Sequence, residues 1–278
     1  MKTLFLLLLA VACGATSAQT PTANLMPDGS RDMYVGLGVS VAPDFPGASE
    51  KQTTALPLIQ MQWSNGIFIS GMSAGMHLSR QPDVEFGPLL AVDTGRDQDG
   101  TRTRAGGVGP LMGLAGLRQR SAGSLEGMPD VPTRLQGGAF ANYYVNPALR
   151  LTSSVLYGAG HDHDGLVVSF GVQQMFNDVS PHHRVSLAAG VNIVNRSYNR
   201  SFFGISPDES VASGYPVYAP GAGVRDVYVA AGWNWALSPS WMVTSAARLS
   251  YLRNDAGHSP LVERPTNFSV SSGLVFRF

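Results

Sequence analysis

Cysteine is nearly absent from this sequence: Cys13 is the only one in 278 residues. No disulfide can form within the chain, so packing or backbone pairing alone must hold the fold. Charge is scarce as well. Asp, Glu, Lys and Arg make up 14% of the residues, against about 25% in a typical soluble domain. The 19 basic and 19 acidic side chains cancel, and a nucleic-acid binder would carry a basic surplus. Disorder calls for low hydrophobicity and high net charge, whereas 44% of this chain is hydrophobic. Long apolar runs are missing too. The longest covers residues 4–12, well short of the ~18–20 apolar residues a spanning helix needs. The surface of such a chain does not face water everywhere, yet no helix is available to cross a bilayer.

Residues 1–18 read as a cleaved signal peptide. Lys2 supplies the positive n-region, residues 4–12 the apolar h-region, and Thr16-Ser17-Ala18 the small residues before the cut. Cleavage after Ala18 leaves 278 − 18 = 260 residues without a cysteine. The alternative is a lipoprotein cut before Cys13, although Ala10 stands where such a site usually has leucine. Residues 19–30 read as a short flexible lead-in.

What the chain does have is a period of two. Phe268, Val270, Ser272, Leu274, Phe276 and Phe278 form one face; Asn267, Ser269, Ser271, Gly273, Val275 and Arg277 form the other. The same split recurs upstream. Val227, Val229, Ala231, Trp233 and Trp235 oppose Asp226, Tyr228, Ala230, Gly232 and Asn234. Leu149, Leu151, Val155 and Tyr157 oppose Arg150, Thr152 and Ser154, and Val35, Leu37 and Val39 oppose Gly36, Gly38 and Ser40. Such alternation marks strands with one apolar face. The runs are about ten residues long, the length that crosses a bilayer at a tilt. A soluble β-sandwich also alternates, but its strands are nearer five or six residues. In lipid every backbone group needs an internal partner, so the sheet closes. The expected fold is an all-β, transmembrane, antiparallel up-and-down β-barrel over residues 19–278.

Short turns at Asn146-Pro147 and Leu237-Ser238-Pro239-Ser240 alternate with long polar stretches at 96–130, 158–165, 195–221 and 254–266. Short periplasmic turns and long external loops are the pattern of bacterial outer-membrane barrels. Eleven strands are readable, at 32–42, 53–63, 66–76, 84–94, 131–144, 148–158, 165–176, 183–194, 223–237, 240–252 and 267–278. Single-chain bacterial barrels have even numbers, so one strand is hidden in the first half. Twelve is the expected total and ten the alternative. Tyr143, Tyr144, Tyr157, Trp233, Trp235 and Trp241 lie near strand ends, where aromatic girdles form. Phe276 and Phe278 close the last strand, and such a terminal aromatic resembles the signal read by the barrel assembly machinery.

Chemistry is harder to find. His161-Asp162-His163-Asp164 has the donors for a divalent metal, but Gly160 and Gly165 make a solvated loop tip the plainer reading. The side chains of His182 and His183 are adjacent in sequence and point apart. His161, His163 and His258 lie on expected external loops, yet no G-x-S-x-G nucleophile motif accompanies them. No metal, cofactor or enzymatic activity is expected. The lumen-facing charges are Glu85, Asp93, Arg150, Arg184, Asp226, Arg248 and Arg277. They lock together as ion pairs or line a path for small polar solutes.

Several segments together resemble one family. They are Pro43-Asp44-Phe45-Pro46-Gly47-Ala48-Ser49, Gly87-Pro88, Gly95-Arg96-Asp97, Gly127-Met128-Pro129-Asp130-Val131 and Gly137-Gly138-Ala139-Phe140. Phe203-Gly204-Ile205-Ser206, the run from Tyr215 to Gly223, and the run from Asp255 to Val262 complete the set. In this order they resemble the MltA-interacting protein (MipA/OmpV) family of outer-membrane proteins. The Gly- and Arg-rich stretch at 100–124 is longer than the family usually has. The resemblance implies an outer-membrane barrel, monomeric in lipid, that acts as a scaffold for murein-synthesising and murein-degrading enzymes. On that reading periplasmic turns such as 177–183 carry the contacts; a narrow solute route is the alternative. The family supplies no catalytic residues to carry over.

Overall fold

A computed structural model describes residues 33–79, 81–97, 100–101 and 125–278. The expected signal peptide, the lead-in and residues 102–124 lie outside the described residues. The barrel strands are β1 (Tyr34–Pro43), β2 (Lys51–Gln62), β3 (Ile67–Ser70), β4 (Ser73–Met76), β5 (Val84–Asp93) and β8 (Arg134–Asn146). They continue with β9 (Leu149–Ala159), β10 (Gly165–Ser180), β11 (His183–Val194), β12 (Gly223–Ala236), β13 (Trp241–Leu252) and β14 (Thr266–Arg277). These twelve close into one antiparallel barrel, with β1 against β14. A separate hairpin joins β6 (Arg96–Asp97) to β7 (Gly100–Thr101).

The hidden strand lies in 66–76. That stretch reads as one strand but is two, β3 and β4, each of four residues. Gly71 and Met72 form the two-residue turn between Ser70 and its partner Ser73, with Gly71 at φ 57°. Glycine at the first turn position supplies the backbone geometry a tight hairpin requires. Twelve strands result, as evenness demands. The segment 131–144 starts later as a strand, at Arg134, because Val131 bridges to Arg96 instead.

The alternation sets an inside-out polarity. Leu37 is 72% exposed on the outer face while Ser40, three residues on, is 2% exposed inside. Leu135, Val229 and Leu274 are likewise exposed, and Thr244 and Ser271 buried. This wall suits an apolar solvent. Near the expected periplasmic rim, His183 stacks on Trp233 and Trp235, with centroids 5.7 Å away in each case. Trp241 and Phe276 meet edge-on at 5.1 Å. Tyr144 departs from the expected girdle: its neighbour Tyr143 points out, so Tyr144 points into the lumen, where it bonds Glu85.

Glycine seals the β1–β14 seam. A Cβ on Gly273 would come within 2.7 Å of Gly38 Cα and 2.5 Å of Leu58 Cδ1. Leu56, Leu58, Ala246 and Val275 pack there as a dry patch inside the wall. Elsewhere, among the described residues, one stretch of strand edge in the wall is left unpaired. β2 pairs with β3 only at Gln60, Met61 and Gln62, and Gly71 N–H reaches Ile59 O. Among the described residues no strand pairs with the outer edge of 51–58. Ile59 uses its backbone groups on that edge, so by the period of two Pro57 faces it as well. Proline there leaves no N–H to satisfy.

The long loops fold into a cap. Asn195 caps α1 (Arg196–Phe203) by accepting from Tyr198 N–H, and ties it to β10 by accepting from Leu166 N–H. α2 (Pro207–Ser213) starts at a Ser206/Glu209 capping box and stops at Gly214, φ 77°. α3 (Asn254–Gly257) sits over the end of β13. Phe45, Ala48, Leu125, Met128, Ile205 and Leu261 form one apolar core between the loops. Val194, Tyr198, Phe203, Leu252 and Ala256 form another at the barrel rim. Gly47 O accepts from Glu263 and Arg264 N–H at 2.9 Å, and Ser259 Oγ donates to Phe203 O at 2.7 Å. Most of the family-like segments, 43–49, 127–131, 203–206, 215–223 and 255–262, meet in this cap.

Candidate functional site

Among the described residues, two cavities stand out in the lumen. The inner one, toward the short turns, holds about 690 Å³ and is lined by Glu85, Arg150, Arg184 and Arg248 among the charged groups. The outer one, under the cap, holds about 410 Å³ and is lined by Asp93, Arg96, Arg225, Asp226 and Arg248. Arg248 borders both. The layer of side chains around it therefore divides the lumen.

That layer centres on Asp226, which is 3% exposed. Its Oδ2 accepts from Arg225 Nε at 2.6 Å, and its Oδ1 accepts from Asn192 Nδ2 at 2.8 Å. Arg248 Nη2 lies 3.8 Å from Oδ1. The Arg248 guanidinium also stands 3.6 Å over the Tyr228 ring, a favourable cation–π arrangement. Glycines make room for that ring: a Cβ on Gly190 would come 2.6 Å from Tyr228 Oη. Ser169 Oγ donates to Asn192 Oδ1 at 2.7 Å and extends the network across β10.

Arg225 reaches this layer through a bulge. By strict alternation it belongs on the lipid face. The β11–β12 register runs from Asn192↔Asp226 to Ile193↔Val224, so Arg225 is the extra residue. A bulge re-aims a side chain and leaves one residue unpaired. Its Nη1 then donates to Tyr198 Oη at 2.7 Å, linking the lumen to α1. Burial raises the Tyr198 phenol above its ordinary pKa, and the neighbouring Arg225 opposes that shift.

The inner cavity has its own network. Glu85, 6% exposed, accepts from Asn142 Nδ2 at 3.0 Å and Tyr144 Oη at 2.8 Å. Arg150 lies 3.8 Å away through Nη1 and donates from Nε to Gln173 Oε1 at 2.9 Å. Arg184 makes no ion pair among the described residues. Of the other expected lumen charges, Asp93 accepts from Gly95 N–H and Gln136 Nε2 at the outer rim. Arg277 borders neither cavity; its guanidinium stands 5.8 Å from the Tyr34 ring at the other end of the barrel. Phe276 and Phe278 stack on the outer surface with centroids 6.5 Å apart.

Arg96 is the residue that alternation gave no means of finding. It lies in the loop above β5, is 3% exposed, and lines the outer cavity. Its Nε and Nη1 are buried without a hydrogen-bond partner, and so is the Oγ of Ser40 on the same cavity. Burial brings the Arg96 pKa down to about 10, with Glu209 and Asp130 opposing the shift. The ion is kept at neutral pH at a desolvation cost that its surroundings offset only in part.

The other expected contact points are modest. His161-Asp162-His163-Asp164 makes the β9–β10 turn, with His163 at φ 59°. His161 O accepts from Arg134 Nη2 at 2.7 Å. Among the described residues no group of three or more His, Cys, Asp or Glu is placed to hold a metal. The expected turn 177–183 is mostly strand: β10 runs to Ser180 and β11 starts at His183, leaving Pro181 and His182 between them.

A family model for MltA-interacting protein, MipA, matches residues 35–278. No curated protein matches the chain. Among solved structures, the NanC porin is 10% identical with TM-score 0.47, covering 88% of this chain and 100% of its own. The translocator domain of the autotransporter NalP from Neisseria meningitidis is 13% identical with TM-score 0.47, over 88% of each chain. An outer-membrane channel from Pseudomonas putida F1 is 11% identical with TM-score 0.40, over 91% of this chain and 99% of its own. The family match covers every strand of the barrel except the first residue of β1. With its closed barrel and apolar outer wall, the protein resides in the bacterial outer membrane. The chain belongs to the MipA family of MltA-interacting proteins.

Proposed function

We propose that the protein is a narrow, capped outer-membrane route for small polar solutes, with a preference for anions. The observation that carries this reading is the charge of the lumen lining. Five arginines (Arg96, Arg150, Arg184, Arg225 and Arg248) face the two cavities against three carboxylates (Glu85, Asp93 and Asp226). Rings of one sign of charge set selectivity in pores. A barrel of this size is nearly filled by its side chains, so the conductance is small.

Planar-bilayer recordings test it. Under a KCl gradient the reversal potential should have the sign of chloride preference. Arg184→Glu, which alters an exposed lumen charge with no ion pair among the described residues, should move it toward potassium. A silent bilayer at high protein load removes this reading.

A second reading rests on the family description, MltA-interacting protein. It makes the barrel a scaffold for murein hydrolases and synthases. The short turns offer little for this: a stable interface takes about 800 Å² per partner, and the β10–β11 turn is Pro181 and His182 alone. Pull-down from envelope extracts decides it. Recovery of murein enzymes above an unrelated barrel supports the scaffold; recovery no better counts against it.

A further inference from the structure

We infer that the outer cavity is a binding site for a single-chain amphipathic anion, with its head on Arg96 and Ser40 and its tail at the unpaired edge in the barrel wall. The inference does not depend on whether the lumen conducts.

The head is argued from unsatisfied groups. Arg96 Nε and Nη1 and Ser40 Oγ are buried, face the same cavity and have no partner. Native proteins rarely leave such donors alone, and a buried guanidinium is the strongest case because its fork matches a carboxylate or phosphate. The other two arginines of the cavity are already engaged. Arg225 is bonded to Asp226 and Tyr198, and Arg248 stands on Tyr228 beside Asp226. Asp93 is held by Gly95 and Gln136. Among the described arginines of the cavity, Arg96 is thus the one whose Nε and Nη1 are left to bond an incoming anion, with the charges of Glu209 and Asp130 nearby.

The tail is argued from the rest of the lining and from the wall. Phe45, Phe202, Phe203, Met72, Val92 and Leu252 make much of the cavity apolar. Met72 is the tip of the short β3–β4 hairpin, and Val92 N–H bonds Met72 O beside it. Both residues lie beside the unpaired edge of 51–58, and Val92 falls on the lipid-facing register of β5, opposite in phase to Glu85 and Asp93. Among the described residues the cavity thus extends to the edge of 51–58 that no strand pairs. A solute with no tail has no use for this part of the site, and an uncharged lipid has none for Arg96.

The test uses the intact barrel in lipid nanodiscs, with binding followed by calorimetry. Dodecanoate and dodecyl phosphate should both bind, because the shared chemistry is the anionic head. Hexanoate should bind at least about tenfold more weakly, since burial of each methylene adds affinity. Inorganic phosphate and dodecanol should each fail to displace dodecanoate. Arg96→Gln should weaken dodecanoate by about tenfold or more, the worth of a charged hydrogen bond, and Ser40→Ala by less. Heat-modifiable gel migration reports whether each variant is folded. If Arg96→Gln does not fold, Ser40→Ala and the chain-length series decide. Hexanoate binding as tightly as dodecanoate, or dodecanoate affinity unchanged in folded Arg96→Gln and in Ser40→Ala, overturns the assignment.

Discussion

Asp226→Ala is expected to destabilise the barrel by about 3–5 kcal/mol, the cost of removing one member of a buried charge cluster. The carboxylate is 3% exposed and holds Arg225, Asn192 and Arg248 together. Without it the guanidiniums of Arg225 and Arg248, on neighbouring strands, lose the carboxylate between them. Urea unfolding in detergent measures the loss. A double-mutant cycle separates charge from packing: Arg248→Met in the Asp226→Ala background should restore part of the stability, because it removes one orphaned cation. Arg248→Met that lowers stability by the same amount in both backgrounds would falsify the cluster as a coupled unit. Asp226→Ala should also raise anion conductance, since the layer dividing the two cavities loses the carboxylate at its centre.

Phe203→Ala is expected to cost a similar amount, about 3–5 kcal/mol, but in a different place. Phe203 is 2% exposed between α1 and the rim of the barrel, against Tyr198, Leu252 and Ala256. Phe203 packs the cap onto the rim while the strands are held by their own backbone ladders, so its loss opens the cap locally and the strands stay paired, the ties through Asn195 and Arg225 notwithstanding. Limited proteolysis on intact cells should cut residues 195–222 in the variant and spare them in the parent. The barrel's own thermal transition should move little. A cut pattern identical to the parent's, with a lowered barrel transition, would assign Phe203 to the wall instead.

Much of this architecture was legible because lipid imposes a strict rule. Where one face meets hydrocarbon, the period of two cannot be relaxed, and Val35, Leu37 and Val39 on β1 announce themselves as plainly as Phe268 and Val270 on β14. The exceptions occur where the period is interrupted. Gly71 is a turn inside what scans as one strand, and the Gly-Met step at 71–72 was the available signal. Arg225 sits in the lipid phase until a bulge turns it inward, and a bulge leaves no mark in a single sequence. Of the expected lumen charges, Glu85 and Arg150 meet in one network and Asp226 and Arg248 in another. Arg96 escaped because it lies in a loop, where no periodicity exists to read. Tyr143 and Tyr144 read alike as girdle residues, but adjacent strand residues must point to opposite faces, which puts Tyr144 inside.

The glycine seam has a consequence for the order of events in folding. Every hairpin from β8 to β14 joins neighbours in sequence and can zip as it forms, but β1 meets β14 through residues far apart in sequence, as in Tyr34↔Arg277. A contact of such long sequence separation is entropically the most expensive to make. Gly36, Gly38 and Gly273 thin the inner face of this ladder, while Val35 against Phe276 and Leu37 against Leu274 meet on its outer face. The last step is then a slide of two edges that are smooth on the lumen side, reversible until the register locks. A side chain introduced at Gly38 would turn that slide into a collision, and its cost would be seen in the rate of closure before it was seen in the finished barrel.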